Sequence, residues 1–262
     1  MARVAVWSND EPLVIAHRGG LELAPENTMD AFRSAVAMGV TFLETDVHVT
    51  ADGVLVAFHD EDLDRVTDGT GSIADLPYSV VAQAKLPGGR TIPTLDELVE
   101  EFPEVRLNID VKADAAVVPF ADAVRRHGIV ERIGVGAFSD TRIRRLRTLI
   151  GPRLSTIASP RETSALVAAA KLRRVDPDVR STLRRGSSKH PFDSVQVPVS
   201  QGPVTLISSR LVNYLHSQGL LIHAWTINDR DEMIRLLDLG VDGLITDRPG
   251  LLREVLSERG QL

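Results

Sequence analysis

The 262-residue chain contains no cysteine. That absence excludes a disulfide framework and thiolate chemistry, and with nothing to suggest an oxidising compartment the cytoplasm is the expected location. Long apolar runs are also missing. No stretch approaches the ~18 consecutive apolar residues needed to cross a bilayer, and Met1 to Pro12 lacks the uninterrupted apolar segment of a signal peptide. Basic residues are not in excess: the formal net charge is −6, so no nucleic-acid partner is expected. The one cationic cluster, Arg142 to Arg147, reads as a solvated helix face. Aromatic residues make up only 4% of the chain, which by itself excludes no fold class. No G-x-G-x-x-G turn follows a strand, so a doubly wound dinucleotide-binding sheet lacks its signature.

What is present is a repeated alternation of short apolar runs and helical periods. A hydrophobic fraction of 43% and a charged fraction of 25% are ordinary for a globular protein. Leu13 to Ala16 reads as a strand and Asn27 to Gly39 as a helix. Thr41 to Thr50 and Val54 to Phe58 read as strands joined at the Asp52-Gly53 turn. Thr94 to Glu101 reads as a short helix, with Thr94 as N-cap and Glu97 completing a capping box. Arg106 to Lys112 is again extended. Strand-helix units follow at 132–150, 154–173, 194–218, 220–239 and 243–256, with an irregular loop between Val175 and Pro191. About eight units in a length near the ~250 residues of a (β/α)8 barrel predict one TIM-barrel domain over residues 1–262. A small loop-rich insertion is expected at about residues 60–92, after the second strand. No linker or internal domain boundary is visible.

The chemistry collects at predicted strand ends. Leu13 to Ala16 runs into His17-Arg18-Gly19-Gly20. In Thr41 to Thr50, Glu44, Asp46 and His48 share one face while Leu43, Val47 and Val49 share the other. In the third strand Asn108, Asp110 and Lys112 alternate with Leu107, Ile109 and Val111. His59 closes the hairpin strand. A barrel gathers such ends at one mouth, where Glu44, Asp46 and Asp110 would repel each other unless a cation neutralised them. Oxygen ligands without cysteine point to Mg²⁺ or Ca²⁺. His17 and His59 are suited to general acid and base work, and Arg18 and Lys112 to an anionic substrate. The set suits phosphoester cleavage.

Plainer readings exist for each group. A lone His17 would be a satisfied strand-end histidine, and Glu44 and Asp46 would be edge-strand charges. Asp110 and Lys112 would form a structural ion pair, and Trp225 would be core packing rather than a substrate contact. The accumulation of all of them at successive strand ends favours function. His48 is left as a supporting or surface residue, and His127, His190, His216 and His223 as structural or exposed.

The ordered series His17-Arg18-Gly19, Pro25-Glu26-Asn27-Thr28, Glu44-Thr45-Asp46-Val47, Thr50-Ala51-Asp52-Gly53 and His59-Asp60 resembles the glycerophosphodiester phosphodiesterases. So do Arg65-Val66-Thr67, Pro93-Thr94-Leu95, Asn108-Ile109-Asp110-Val111-Lys112, Ala224-Trp225-Thr226-Ile227-Asn228 and Gly243-Leu244-Ile245-Thr246-Asp247-Arg248-Pro249. The resemblance covers Leu13 to Pro249. It implies a (β/α)8 barrel that hydrolyses small glycerophosphodiesters to glycerol 3-phosphate and an alcohol with one divalent cation. It also implies His17 and His59 as the acid-base pair, Arg18 and Lys112 as phosphate ligands, and Glu44, Asp46 and Asp110 as metal ligands. The family usually carries Glu where this chain has Asp110, which shortens that ligand by one methylene. A lysophospholipase D or sphingomyelinase D resembles the same histidines and acids, and a non-catalytic phosphodiester-binding barrel is the remaining alternative.

Overall fold

The computed structural model describes residues 6–7, 10–172, 191–202 and 204–262. The irregular loop expected from Val175 lies outside the described residues as far as His190, and so does His190 itself.

The alternation predicted from sequence becomes a parallel barrel. Strand β1 (Leu13–Ala16) leads through helix α1 (Met29–Ala37) to β2 (Phe42–Val49), which is paired antiparallel with β3 (Leu55–Ala57). Between β3 and α3 (Leu95–Glu101) lie a short helix, α2 (Tyr78–Val81), and the two-residue strands β4 (Lys85–Leu86) and β5 (Arg90–Thr91). The chain continues with β6 (Arg106–Val111), α4 (Val117–His127), β7 (Ile133–Gly136), α5 (Asp140–Ile150), β8 (Ser155–Thr156) and α6 (Pro160–Leu172). Then come β9 (Ser194–Pro198), a small hairpin of β10 (Ser200–Gln201) and β11 (Val204–Thr205), α7 (Ser209–Ser217), β12 (Leu221–Trp225), α8 (Arg230–Leu239), β13 (Gly243–Thr246) and α9 (Pro249–Glu258). The sheet runs β8-β7-β6-β2-β1-β13-β12-β9, and a parallel bridge between Ile157 and Ser194 closes its two ends. Each barrel strand lies beside the next barrel strand in the chain, as helical crossovers between parallel strands require.

Local chemistry sets the element ends. The Thr28 hydroxyl caps α1 by accepting from the Ala31 amide at 3.2 Å. Thr94 and Glu97 form the expected capping box on α3, and Gly128 ends α4 in the left-handed region with φ 65°. Leu43, Val47, Leu107, Ile109 and Val111 face outward from β2 and β6 into a buried cluster with Phe32, Leu98 and Phe120 of the covering helices. Opposite parity points into the barrel, which directs Glu44, Asp46, Asn108 and Asp110 toward its axis and mouth. Arg142 and Arg147 are not simply solvated. Arg142 pairs with Asp114 at 2.9 Å and Arg147 with Glu162 at 2.7 Å, because both guanidiniums fold back to cap neighbouring strand-end carbonyls.

The end of the barrel away from the mouth is plugged. Trp7 stacks on Phe42 with ring centroids 4.8 Å apart and packs against His223 at 4.9 Å. Glycine at position 134 is required there, since a Cβ would lie 1.8 Å from Trp7 Cζ2. The stretch 60–92 is short of regular structure but has its own apolar cluster. Leu63, Ile73, Val81, Leu86 and Ile92 pack on Val56 and Phe58, the apolar side chains of the hairpin strand and its end.

Candidate active site

The C-terminal ends of the barrel strands surround a cavity of about 440 Å³. His17, Arg18, Glu44, Asp46, His59, Asp110, Lys112 and Trp225 all line it. Sequence separations of up to about two hundred residues are thus brought to one mouth.

At the end of β1 the chain turns sharply. Arg18 adopts φ 49° and Asn27 φ 52°, both left-handed, and at Gly19, φ 86°, a Cβ would lie 2.8 Å from that of Ala31. Non-glycine residues in this region mark a conformation held by its surroundings. Here the holding contacts are functional groups. The Arg18 amide donates to Glu44 Oε2 at 2.9 Å, and the Asn27 amide and carbonyl groups reach Asp46 at 3.3 Å and Thr45 at 2.8 Å.

Both histidines are held at Nδ1 by a carboxylate. His17 Nδ1 lies 2.6 Å from Asp247 Oδ1, and Asn228 fixes that carboxylate by donating to Oδ2 at 2.6 Å and accepting from the Asp247 amide at 2.9 Å. His59 Nδ1 lies 2.6 Å from Asp60 Oδ1, while His48 Nε2 meets the His59 carbonyl at 3.1 Å. An imidazole held at Nδ1 presents Nε2 for proton transfer. Burial lowers the affinity of His17 for a proton, but the Asp247 hydrogen bond and the Glu44 charge outweigh it and raise the pKa above the ordinary histidine value. The same Asp247 carboxyl is held below its usual range, against its burial, by His17 and Asn228.

The acids and cations interlock. Lys112 Nζ stands 2.8 Å from Asp46 Oδ1 and 2.7 Å from Asp110 Oδ2, and Arg18 Nε is 3.3 Å from Asp46 Oδ2. Burial would raise Asp46, but Lys112 and Arg18 override it and lower its pKa. At Glu44 burial, with the Asp46 charge beside it, outweighs the pull of His17 and Arg18 and pushes it up to about 7. Burial also raises Asp110, against the pull of Lys112.

Among the described residues no three His, Asp or Glu side chains converge as a ready-made metal cluster. The Lys112 ammonium supplies the positive charge between two of the three candidate ligands. Their chemistry nevertheless fits a hard cation. Every donor is a carboxylate oxygen, Asp110 Oδ1 is buried without a hydrogen-bond partner, and Glu44 is destabilised as an anion.

An aromatic pair also lines the cavity. Trp225 meets Phe138 edge-on at 6.0 Å, Phe138 is 69% exposed at the rim, and Lys112 Nζ lies 5.6 Å from its ring centre. Leu206, Val197 and Pro198 line the same cavity, together with Ser164, Gln196 and Gln201.

Of the histidines set aside from sequence, His48 is buried and supports the His59 backbone, while His127 pairs with Asp96 at 2.8 Å and His216 with Asp242 at 2.8 Å. His223 lies in the barrel interior with its pKa depressed to about 4 by burial. Residues that sequence reasoning left without a role are Asp247, Asn228, Asp60, Glu26, Arg65 and Phe138. All but Phe138 lie inside or beside the motifs quoted above, yet only folding shows which side chains they hold.

Residues 17–251 match the profile of the glycerophosphoryl diester phosphodiesterase family. A probable glycerophosphodiester phosphodiesterase 2 of Mycobacterium tuberculosis is 38% identical over 95% of this chain and 92% of its own length. A lysophospholipase D of Homo sapiens is 28% identical, covering 92% of this chain and 85% of its own. A phosphodiesterase of Oleispira antarctica, solved in complex with the product sn-glycerol-3-phosphate, shares the fold. It superposes with a TM-score of 0.77 at 22% identity over 94% of this chain and 97% of its own. The chain belongs to the glycerophosphoryl diester phosphodiesterase family.

Proposed function

We propose that this site hydrolyses glycerophosphodiesters to sn-glycerol 3-phosphate and an alcohol, with His17 and His59 exchanging protons. The observation that carries this reading is the pair of imidazoles on one cavity, each with Nδ1 taken by a carboxylate. As the new P–O bond forms, one Nε2 takes the nucleophile's proton. As the old P–O bond breaks, the other imidazole gives a proton to the leaving alkoxide. Arg18 clamps the phosphoryl oxygens with its guanidinium fork, and Lys112 offsets charge that develops on them. Glu44, Asp46 and Asp110 would hold one divalent cation, Mg²⁺ or Ca²⁺, which when bound supplies Lewis-acid polarisation of the phosphoryl group.

A second substrate class follows from the Phe138–Trp225 pair. Phe138 and Trp225, with Leu206, Val197 and Pro198 on the same cavity, offer apolar surface to the acyl chain of a lysophospholipid. The domain reading of 1–262 as one catalytic barrel, with its insertion at about 60–92, and a cytoplasmic location are kept as part of this proposal. The absence of cysteine supports the location, and among the described residues no helix is long and apolar enough to cross a membrane.

The test is release of sn-glycerol 3-phosphate from glycerophosphocholine and glycerophosphoethanolamine with Mg²⁺, Ca²⁺ or EDTA. Activity is expected only with a divalent ion, and His17→Ala and His59→Ala are each expected to lose ~10²–10⁴-fold in kcat. Full activity of either variant would sink the proton-transfer roles, and full activity after confirmed metal removal would sink the cation. Lysophosphatidylcholine, followed by released choline because its cleavage leaves lysophosphatidate rather than glycerol 3-phosphate, decides between the substrate classes.

A further inference from the structure

Arg65 belongs to a motif that the reaction above does not use. It lies in the insertion, outside the cavity lining, and half of its side chain is exposed. Its guanidinium is nevertheless committed to two carboxylates. Nε pairs with Asp60 Oδ2, and the terminal nitrogens reach Glu26 Oε1 at 2.6 Å and Oε2 at 3.3 Å. Neither carboxylate is free. Asp60 Oδ1 holds His59 Nδ1 at 2.6 Å, and Glu26 Oε1 holds Arg18 Nη1 at 3.0 Å. One side chain is therefore one residue removed from the candidate proton-transfer group and one residue removed from the candidate phosphate clamp, and touches neither.

We propose that Arg65 is a positioning residue, through which the insertion orients His59 by way of Asp60 and Arg18 by way of Glu26. The inference rests on the roles assigned above to His59 and Arg18. Three physical points carry it. A carboxylate that steers a histidine must itself be fixed, and Asp60 sits in the loop after β3 with a quarter of its side chain exposed, so its second oxygen needs an anchor. Glu26 alone would draw Arg18 toward itself; sharing Oε1 with a second guanidinium divides that hold and leaves Arg18 available to the cavity. Only a planar guanidinium has donors on separate edges that can face two carboxylates at once, which a lysine ammonium cannot reproduce. The pairing also keeps Asp60 ionised. Burial works against this, yet Arg65 and His59 hold its pKa at about 2.

The two arms predict separable kinetic effects in the full chain, with glycerophosphocholine as substrate and the divalent ion that supports activity. Arg65→Met should lower kcat about 10–100-fold, the range for outer partners of functional side chains, and raise KM several-fold. In an Asp60→Asn background the further loss of kcat should vanish while the rise in KM persists. In a Glu26→Gln background the rise in KM should vanish while the loss of kcat persists. Arg65→Lys should recover at most one of the two parameters. A purely structural role would lower the active fraction alike in every background and leave KM unmoved, and that outcome overturns the proposal. Wild-type kcat and KM in Arg65→Met overturn it as well. Should Arg65→Met fail to fold by circular dichroism, Arg65→Lys carries the same test, with both parameters at wild-type values as the overturning result. Parallel His59→Ala and Arg18→Ala variants separate the two levels. If they remain fully active, the assigned roles fail; if they are inactive while Arg65→Met is normal, only the positioning role fails.

Discussion

His17 Nδ1 lies 2.6 Å from Asp247 Oδ1, a contact that joins the residue after the first barrel strand to the residue after the last. It exists because β1 and β13 are neighbours in the closed barrel, in register from Leu13 with Gly243 to Ala16 with Thr246. Asn228, which follows β12, completes the set by fixing the carboxylate. The candidate proton-transfer group near one end of the chain is thus held by residues contributed near the other.

Asp247→Asn is expected to keep the fold and lower kcat by about 10²-fold or more, with little change in KM. The amide cannot hold the imidazole in the same tautomer or stabilise its protonated form. Steady-state kinetics check this beside an unchanged circular dichroism spectrum. A variant with wild-type kcat would remove Asp247 from the site.

Lys112 stands between Asp46 and Asp110, and all three side chains are largely buried. Lys112→Met leaves two neighbouring carboxylates without that charge and should destabilise the protein by about 3 kcal/mol in EDTA. If the acids hold a divalent ion, Mg²⁺ or Ca²⁺ should recover part of the loss and raise the melting temperature more in the variant than in the wild type. An equal shift in both proteins would place ion binding elsewhere.

Gly134 faces Trp7 so closely that a methyl group has no room. Gly134→Ala should cost about 1–3 kcal/mol by overpacking. In a Trp7→Ala background the added cost should largely disappear, since the clashing ring is gone. Urea unfolding of the four proteins measures the coupling, and strict additivity would show that Trp7 does not occupy the barrel end.

His223 is buried beside Trp7, and burial depresses its pKa from the ordinary 6.5 to about 4. Below 6.5 the unfolded chain takes up a proton that the folded protein refuses, so the contribution of this neutral histidine is complete above 6.5. It is lost as the pH falls toward 4. Integrated over that interval the loss is about 3 kcal/mol. His223→Gln should be correspondingly less sensitive to acid across the same interval, compared by urea unfolding at several pH values. Parallel stability curves for the two proteins would refute the assignment.

The barrel and most of the residues that line the candidate site are legible in the linear pattern. Period-two alternation in Thr41 to Thr50 and in Arg106 to Lys112 separates core side chains from acids within one strand, and that pattern survives because a one-residue slip would bury the wrong face. The strand-helix count predicted the architecture, and the motif series around His17, Glu44, His59 and Asp110 pointed to the family and named the candidate residues. Tertiary structure alone decided the partners. No local pattern says that Asp247 holds His17, that Arg65 also reaches Glu26, or that Lys112 reaches Asp46 as well as Asp110, because each of these contacts joins segments whose approach depends on tertiary packing. Phe138 had no periodic signal either, being a loop residue whose exposure beside Trp225 is set by where β7 and β12 end. Periodicity is a property of a single element, whereas a hydrogen-bond partner is a property of two.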